Sequence, residues 1–198
     1  VRSADGALNY EIEFTTVTFK YDTQTPTSTL TMPDMSYHRN FASISGTAVD
    51  PPTTPLLADV QKVEVSIRIA GGNYWDGDSF DGFTPTFRLT DKSWNAGLSR
   101  WDWTYPPASG GDIIPNWGAG GVQSSNGDQI IVVSKVTDNS ENTEESLPGQ
   151  TKTFIVDVTT PTVLNISPST YTAVVSNLPT ISGTAEDTPT SPPSSNAG

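Results

Sequence analysis

The feature that most constrains the fold of this chain is a sequence motif that occurs twice. Residues 44–50 read ISGTAVD and residues 181–187 read ISGTAED, 137 positions further on (181 − 44). Residues 19–26 and 154–161 share Phe, Asp and a closing Thr-Pro, at an offset of 135 (154 − 19). A weaker pair, 2–9 and 135–142, has an offset of 133 (135 − 2). Ordered matches at a nearly constant offset predict a repeating unit of about 135 residues.

The repeat predicts three parts. Residues 1–25 are interpreted as the C-terminal end of a preceding repeat, 26–160 as one complete repeat, and 161–198 as the start of a following repeat. The Gly/Ser-rich run at 108–127 is interpreted as an insertion in the complete repeat. The tail after Asp187 is then an opening loop; the alternative is a flexible Pro/Ser linker. We expect the partial repeats to come from a longer chain; the alternative is that other subunits complete them by β-strand addition.

The hydrophobic pattern of the complete repeat has the period of β-strands. Within residues 63–69, Val and Ile occupy every second position and alternate with polar residues, which predicts one buried and one solvated face. Residues 130–136 and 153–158 are rich in β-branched residues, which favour strands. Clusters of Gly, Pro, Asn and Asp separate these segments, and no stretch has a sustained period of 3.6. The sequence therefore predicts an all-β sandwich.

Charge and composition exclude several functional classes. Ten Lys and Arg against 22 Asp and Glu give a net charge of −12, which disfavours nucleic acid and anionic membranes as partners and attracts divalent cations. There is no Cys, so disulfides and thiol catalysis are excluded. No apolar run reaches the ~18 residues of a membrane span, so no membrane insertion is expected. His38 is the only His, which disfavours a Ser-His-Asp triad or a His-based zinc site, and no catalytic residue is assigned.

Several motifs together resemble the tandem immunoglobulin-like repeats, related to cadherin- and fibronectin-like β-sandwiches, of large bacterial surface, adhesin or filament proteins. These motifs are the D-x-x-x-P linkers at 22–26 and 157–161, the I-S-G-T-A-x-D strands, the Tyr-Trp-Asp-Gly segment at 74–77, the tryptophans at 94, 101 and 103, and the D-x-x-x-N loop at 138–142. The resemblance covers nearly the whole chain. It is specific for architecture and weak for activity.

The resemblance implies an all-β fold of immunoglobulin-like β-sandwich repeats in tandem. It also implies a structural, non-enzymatic role in an extracellular or cell-surface stalk, adhesin or fibre. The expected partners are neighbouring repeats of the same chain or identical subunits in a fibre.

Acidic side chains recur where such repeats join. In this topology the chain entry, the loop after the second strand and the loop before the last strand lie at one pole. Hard oxygen ligands from several loops are what Ca²⁺ requires, so calcium is the candidate cofactor. The alternative is that these side chains accept backbone N–H bonds in turns. The candidate ligands are Asp22, Asp50, Asp138, Asn142, Asp157 and Asp187.

A second hypothesis is an adhesive or carbohydrate-binding module. Trp75 and Trp117 lie beside Gly-rich turns, and exposed indole rings there would stack on the sugars of a surface glycan or contact a surface protein, together with the insertion at 108–127. The alternative is that both side chains pack in the core, as large aromatics do in sandwiches.

Overall fold

The fold is all-β, as the sequence predicts, with 49% of the described residues in strands. The computed structural model describes residues 4–7, 9–10, 16–17, 21–51, 60–108, 110–118, 120, 123–144, 148–167, 180 and 182–187. Within these ranges there is no α-helix, and one 3-10 turn spans Pro148–Gln150. None of the described segments forms a helix long and apolar enough to cross a membrane.

Thirteen strands are described, most of them short. In chain order they are β1 (Thr27–Met32), β2 (Tyr37–His38), β3 (Ile44–Val49), β4 (Val60–Ile69), β5 (Tyr74–Trp75), β6 (Phe80–Gly82), β7 (Arg88–Leu89), β8 (Asp91–Asn95), β9 (Arg100–Tyr105), β10 (Gln129–Asp138), β11 (Thr151–Val156), β12 (Thr162–Ser167) and β13 (Ser182–Glu186).

Two sheets form the main body. The first has the order β1-β3-β9-β8, and every neighbouring pair in it is antiparallel. The second has the order β2-β11-β10-β4-β5-β6, with β7 also paired to β4. Strand β2 runs parallel to β11, whereas the other pairs of this sheet are antiparallel. The chain therefore passes from the first sheet to the second between β1 and β2.

The core lies between these two sheets. Leu30, Ile44 and Trp103 reach it from the first sheet, and the second contributes alternate residues of β4 and β10 together with Phe154. Of the alternation predicted for 63–69, the buried face is confirmed at Val63, Val65 and Ile67, but the solvated face is wrong, because Ser66 is only 4% exposed in this central strand. Each such side chain contributes roughly 1.5–3 kcal/mol on removal from water, so this shared apolar layer holds the sheets together.

A separate two-stranded sheet, β12–β13, repeats the pairing of β1 and β3. Gly183 lies opposite Ile166 as Gly46 lies opposite Leu30, and Glu186 lies opposite Thr162 as Val49 lies opposite Thr27. The register shift lies at a different point in each pair, between Leu30 and Met32 in β1 and between Val163 and Asn165 in β12. Within the duplicated motif, the Ser-Gly-Thr-Ala residues thus pair with the preceding strand at both places.

The loop after β10 is also repeated, near the start of the described chain. Asp138 Oδ1 accepts the backbone N–H groups of Ser140 and Asn142, at 2.8 Å each, and Asp138 Oδ2 accepts Asn142 Nδ2 at 2.8 Å. Asp5 accepts the corresponding three hydrogen bonds, one from Ala7 and two from Asn9. The hydrogen bond from the Asn9 side chain is the largest of the effects that lower the pKa of Asp5.

The β-bridges beside these two loops correspond as well. Ala4 pairs with Tyr10, and Thr137 pairs with Thr143, so both members of the bridge are displaced by the offset of 133 read from the sequence (137 − 4 and 143 − 10). The weakest of the three sequence matches therefore coincides with a shared local structure.

Candidate functional site

Three acidic residues from separate parts of the chain meet at one end of the two-sheet body. Asp22 precedes β1, Asp50 directly follows β3, and Asp138 is the last residue of β10. One carboxylate oxygen of each lies within 4.8 Å of the other two. Asp50 and Asp138 are each only 1% exposed, and Asp22 is half-buried. The structure therefore brings together three of the six predicted ligands.

Asn142, a fourth predicted ligand, positions this cluster through its amide group. Its Nδ2 donates to Asp138 Oδ2 at 2.8 Å and to the backbone carbonyl of Asp22 at 3.3 Å. Asn142 thereby ties the loop after β10 to the chain segment that enters β1. The turn interpretation also applies in part, because Asp138 accepts loop N–H groups and Asp22 Oδ1 accepts the N–H of Gln24 at 2.8 Å.

The three carboxylates of the cluster repel one another when ionised. Two unit charges 4.8 Å apart repel by about 3.5 kcal/mol at an effective dielectric constant of 20, and three ionised carboxylates form three such pairs. Burial removes much of the water that would otherwise screen Asp50 and Asp138. The donor atoms are carboxylate oxygens with a backbone carbonyl nearby, and these hard ligands suit Ca²⁺.

The remaining two predicted ligands lie beside the β12–β13 sheet. Asp157 follows β11, and its Oδ1 accepts the backbone N–H of Thr159 at 3.1 Å and the Thr159 hydroxyl at 2.8 Å. Asp187 follows β13 and is exposed. Asp157 precedes β12 as Asp22 precedes β1. Asp187 directly follows β13 as Asp50 directly follows β3. In the described part of the chain, neither belongs to a group of three potential metal ligands.

The expectation that Trp75 and Trp117 are exposed is wrong. Trp75 is 0% exposed, and its Nε1 donates to the Tyr105 hydroxyl at 3.0 Å. Trp117 is 6% exposed, and its ring lies 4.9 Å from that of Phe41 and 5.2 Å from that of Phe154. Neither indole ring is available for stacking on a sugar, because both side chains are buried.

The segment at 108–127 explains the burial of Trp117. Its described residues (108, 110–118, 120 and 123–127) contact the second sheet, where the N–H of Ile113 donates to the Gly77 carbonyl at 3.1 Å. Asp112 forms an ion pair with Arg88, and Gln123 Nε2 donates to the Asp78 carbonyl at 2.8 Å. The predicted insertion therefore supplies part of the core.

Sequence reasoning missed a buried polar cluster that fastens β1 to the second sheet. Glu144 is 7% exposed and accepts the Ser28 N–H at 2.5 Å and the Ser28 hydroxyl at 2.6 Å. The Ser28 hydroxyl also lies 2.8 Å from that of Ser134. The available signal was a Ser at an inward-facing position of both β1 and β10, where apolar residues are expected.

No family model, curated protein or solved structure matches this chain. Its function is therefore inferred from the residues themselves and from their arrangement in space. The acidic cluster and the repeated local structures are the two features that bear on it.

Proposed function

We propose that this chain is a structural segment of an extracellular surface stalk, adhesin or fibre, built from tandem immunoglobulin-like β-sandwich repeats. The proposal includes no enzymatic activity. Calcium is proposed as the ion that stiffens the joints between repeats.

The strand order supports the immunoglobulin-like assignment. Such sandwiches place their strands in the order A-B-E-D in one sheet and G-F-C in the other. In the complete unit β1-β3-β9-β8 faces β11-β10-β4, so the strands in these positions correspond one to one. The short strand β2 adds to the outer edge of β11. Asp22, Asp50 and Asp138 lie at the chain entry, after the second strand of the first sheet and before the last strand, as the joint hypothesis requires.

The observation that carries the proposal is the repetition of local structure on both sides of the complete unit. The Asp5–Asn9 loop has the same hydrogen bonds as the Asp138–Asn142 loop, and the Ser-Gly-Thr-Ala segment pairs antiparallel with the preceding strand in both β1–β3 and β12–β13. A preceding unit that ends as this one ends, and a following unit that begins as this one begins, are what a tandem array contains. Linear arrays of domains suit stalks and fibres.

Calcium would act at the entry of the complete unit. Asp22 belongs to the linker, whereas Asp50 and Asp138 belong to the body of the unit. An ion bound by all three would hold the linker against the body and restrict bending between neighbouring repeats. Asp157 and Asp187 are proposed to have the same role at the next joint.

Calorimetry in EDTA and in millimolar CaCl₂ tests the calcium part of the proposal. Binding to the folded state alone stabilises it by about 2.7 kcal/mol when free calcium is 100-fold above Kd, so Tm should rise on adding Ca²⁺. Asp50→Asn should abolish most of that rise. Asp78→Asn, which removes an exposed carboxylate outside the cluster, should leave it intact. Equal melting temperatures of the unmodified chain in EDTA and in calcium would refute a calcium site.

Surface labelling tests the proposed location. Antibodies raised against the complete unit should label intact cells of the source organism, and external protease should remove the epitope. An epitope accessible only after lysis would contradict the extracellular assignment. The alternative of carbohydrate binding through Trp75 and Trp117 has no support from the geometry, since both side chains are buried.

A further inference from the structure

A cleft of about 570 Å³ lies on the flank of the complete unit, where the chain crosses from the second sheet to the first. It is lined by residues 87–91, where β7 leads into β8, and by Pro107, Gly110 and Asp112 of the loop that follows β9. Small-molecule sites in proteins have volumes of about 300–1,000 Å³. The cleft is therefore large enough for a small ligand.

The cleft is separate from the acidic cluster at the end of the unit. Glu64 lines the cleft from the middle of β4, whereas Val60, at the start of β4, pairs with Asp138. Four residues of a strand span roughly 13 Å. Units joined end to end leave their flanks accessible, so the cleft would stay open in the proposed array.

Two of the charged side chains in the lining are held by an ion pair. Arg88 Nε donates to Asp112 Oδ2 at 2.8 Å, and Arg88 Nη2 donates to Asp112 Oδ1. A Cβ atom at Gly77 would collide with both side chains, so the pair packs closely against the backbone. The Arg88 side chain is still 35% exposed, which leaves it accessible to a ligand.

The other two acids in the lining are also held in place. Glu64 Oε2 lies 3.0 Å from Lys62 Nζ and 3.6 Å from Lys135 Nζ. Asp91 Oδ2 accepts the backbone N–H of Ala108 at 2.7 Å, and in the described part of the chain its Oδ1 has no donor. Side chains that are fixed before binding lose little conformational entropy when a ligand arrives. The lining is therefore preorganised for a polar ligand.

The charges of the lining favour a neutral ligand. Glu64, Asp91 and Asp112 repel an anion, as does the net charge of −12. Glu64 and Asp112 already face cationic side chains, so a cationic ligand would gain little attraction from them. A hydroxyl group can donate to a carboxylate and accept from a guanidinium. A neutral ligand with several hydroxyl groups therefore satisfies both kinds of charged group.

Apolar side chains supply most of the remaining lining. Leu89 is 56% exposed, and Phe87 and Pro107 are half-buried. A pyranose ring carries hydroxyl groups at its rim and CH groups on its faces. It can therefore contact the charged and the apolar parts of this lining at the same time.

We propose that this cleft binds a neutral hexose unit of a glycan. Hydroxyl groups of the sugar would bind Asp91 and Arg88, and the CH groups of the ring would pack against Leu89 and Phe87. The inference goes beyond the proposed structural role, because it gives the unit a ligand. It places that ligand away from the two buried tryptophans, neither of which lines the cleft.

Amide NMR titrations of the 198-residue chain test the proposal. The probes are the methyl glycosides of mannose, glucose and galactose, each added in EDTA. At least one should bind with a Kd of about 5 mM or tighter and should shift the amide resonances of residues 87–91 and 110–112. Absence of binding by all three, or shifts confined to other parts of the chain, would overturn the proposal.

Asp91→Asn tests the polar contacts. It should weaken binding of the same glycoside about tenfold, because a neutral amide oxygen replaces a charged acceptor. The amide oxygen can still accept the Ala108 N–H, so the fold should be retained. Asp78→Asn, which changes an exposed acid outside the cleft, is the matched control. Equal affinities of the two variants would contradict the proposed contact.

Leu89→Thr tests the apolar contact. It should weaken binding several-fold, because it removes apolar area from the cleft while keeping a side chain that suits a strand. Leu98→Thr is the matched control, since Leu98 is 59% exposed and lies outside the cleft. A loss of affinity in Leu98→Thr as large as in Leu89→Thr would contradict the assignment.

Two charged probes test the preference for a neutral ligand. Methyl glucuronide adds a carboxylate to the glucoside, and Nα-acetyllysine amide presents an ammonium group. Tighter binding of either probe than of the best neutral glycoside would overturn the assignment. Because the titrations are made in EDTA and the calcium effect on Tm does not involve the cleft, the two proposals fail separately.

Discussion

Gly46 lies beneath Trp103 in the first sheet, and this contact leaves no room for a side chain. A Cβ atom at position 46 would collide with the backbone oxygen of Thr29 on β1 and with two atoms of the Trp103 ring. Trp103 is 1% exposed, so its ring has no free space into which to move. The Thr29 carbonyl belongs to a paired strand and cannot rotate away without breaking that pairing.

Gly46→Ala should therefore destabilise the complete unit strongly. Overpacking of a core costs about 1–3 kcal/mol, and a clash with fixed backbone belongs at the upper end. The smaller conformational entropy of the unfolded Ala variant offsets about 0.5 kcal/mol of that. The net loss of about 2.5 kcal/mol corresponds to a fall in Tm of roughly 5–10 °C for a unit of this size.

Gly183→Ala is the matched control, because Gly183 occupies the same place in the repeated ISGTA motif and is exposed. It should change the free energy of unfolding by less than about 0.5 kcal/mol. Urea titration followed by tryptophan fluorescence, at concentrations where the chain is monomeric, measures both variants. Equal effects of the two substitutions, or a loss below about 0.5 kcal/mol for Gly46→Ala, would refute the packing argument.

Two further predictions concern buried polar groups. Glu144→Gln should destabilise the unit by about 2–3 kcal/mol in urea titration, since it weakens two charge-assisted hydrogen bonds from Ser28, whereas the exposed Glu141→Gln should have little effect. Burial lowers the pKa of His38 below its usual 6.5, although the charge of Asp34 opposes this shift. The free energy of unfolding should therefore be largest above about pH 6.5 and should decrease as the pH drops below that value. His38→Gln should reduce the dependence of the free energy of unfolding on pH between pH 7 and pH 5. An unchanged dependence would contradict the role given to His38.

The parts of the fold that could be predicted from the sequence are those that short-range patterns specify. Alternation at 63–69 specifies a strand and its apolar inner face, and β4 has both, although its other face is largely covered as well. The three acids of the cluster were also predictable, because each sits at a fixed place beside a repeated motif. The strand was predicted from local alternation alone, whereas the cluster also required the sandwich topology, which brings the chain entry and two loops to one pole.

The errors concern features that only long-range packing decides. The Gly-rich surroundings of Trp75 and Trp117 do not reveal whether a ring points inward, and the Tyr105 hydroxyl that accepts the Trp75 N–H lies 30 residues away. Ser28 and Glu144 are separated by 116 positions. Asp157 and Asp187 follow the repeat in sequence, but no third acid is brought to them among the residues that the structure describes.

The parallel pairing of β2 with β11 has a mechanical consequence. The N–H of Ile155 donates to the Ser36 carbonyl at 2.8 Å, and the N–H of Asp157 donates to the His38 carbonyl at 3.0 Å. Strand β2 lies near the entry of the chain into the unit, and β11 lies near its exit. A pull applied to the two ends drags β2 and β11 in opposite directions along their length. Their hydrogen bonds are then loaded in shear and must rupture together, so this short pair resists tension far better than a pair peeled open from one end.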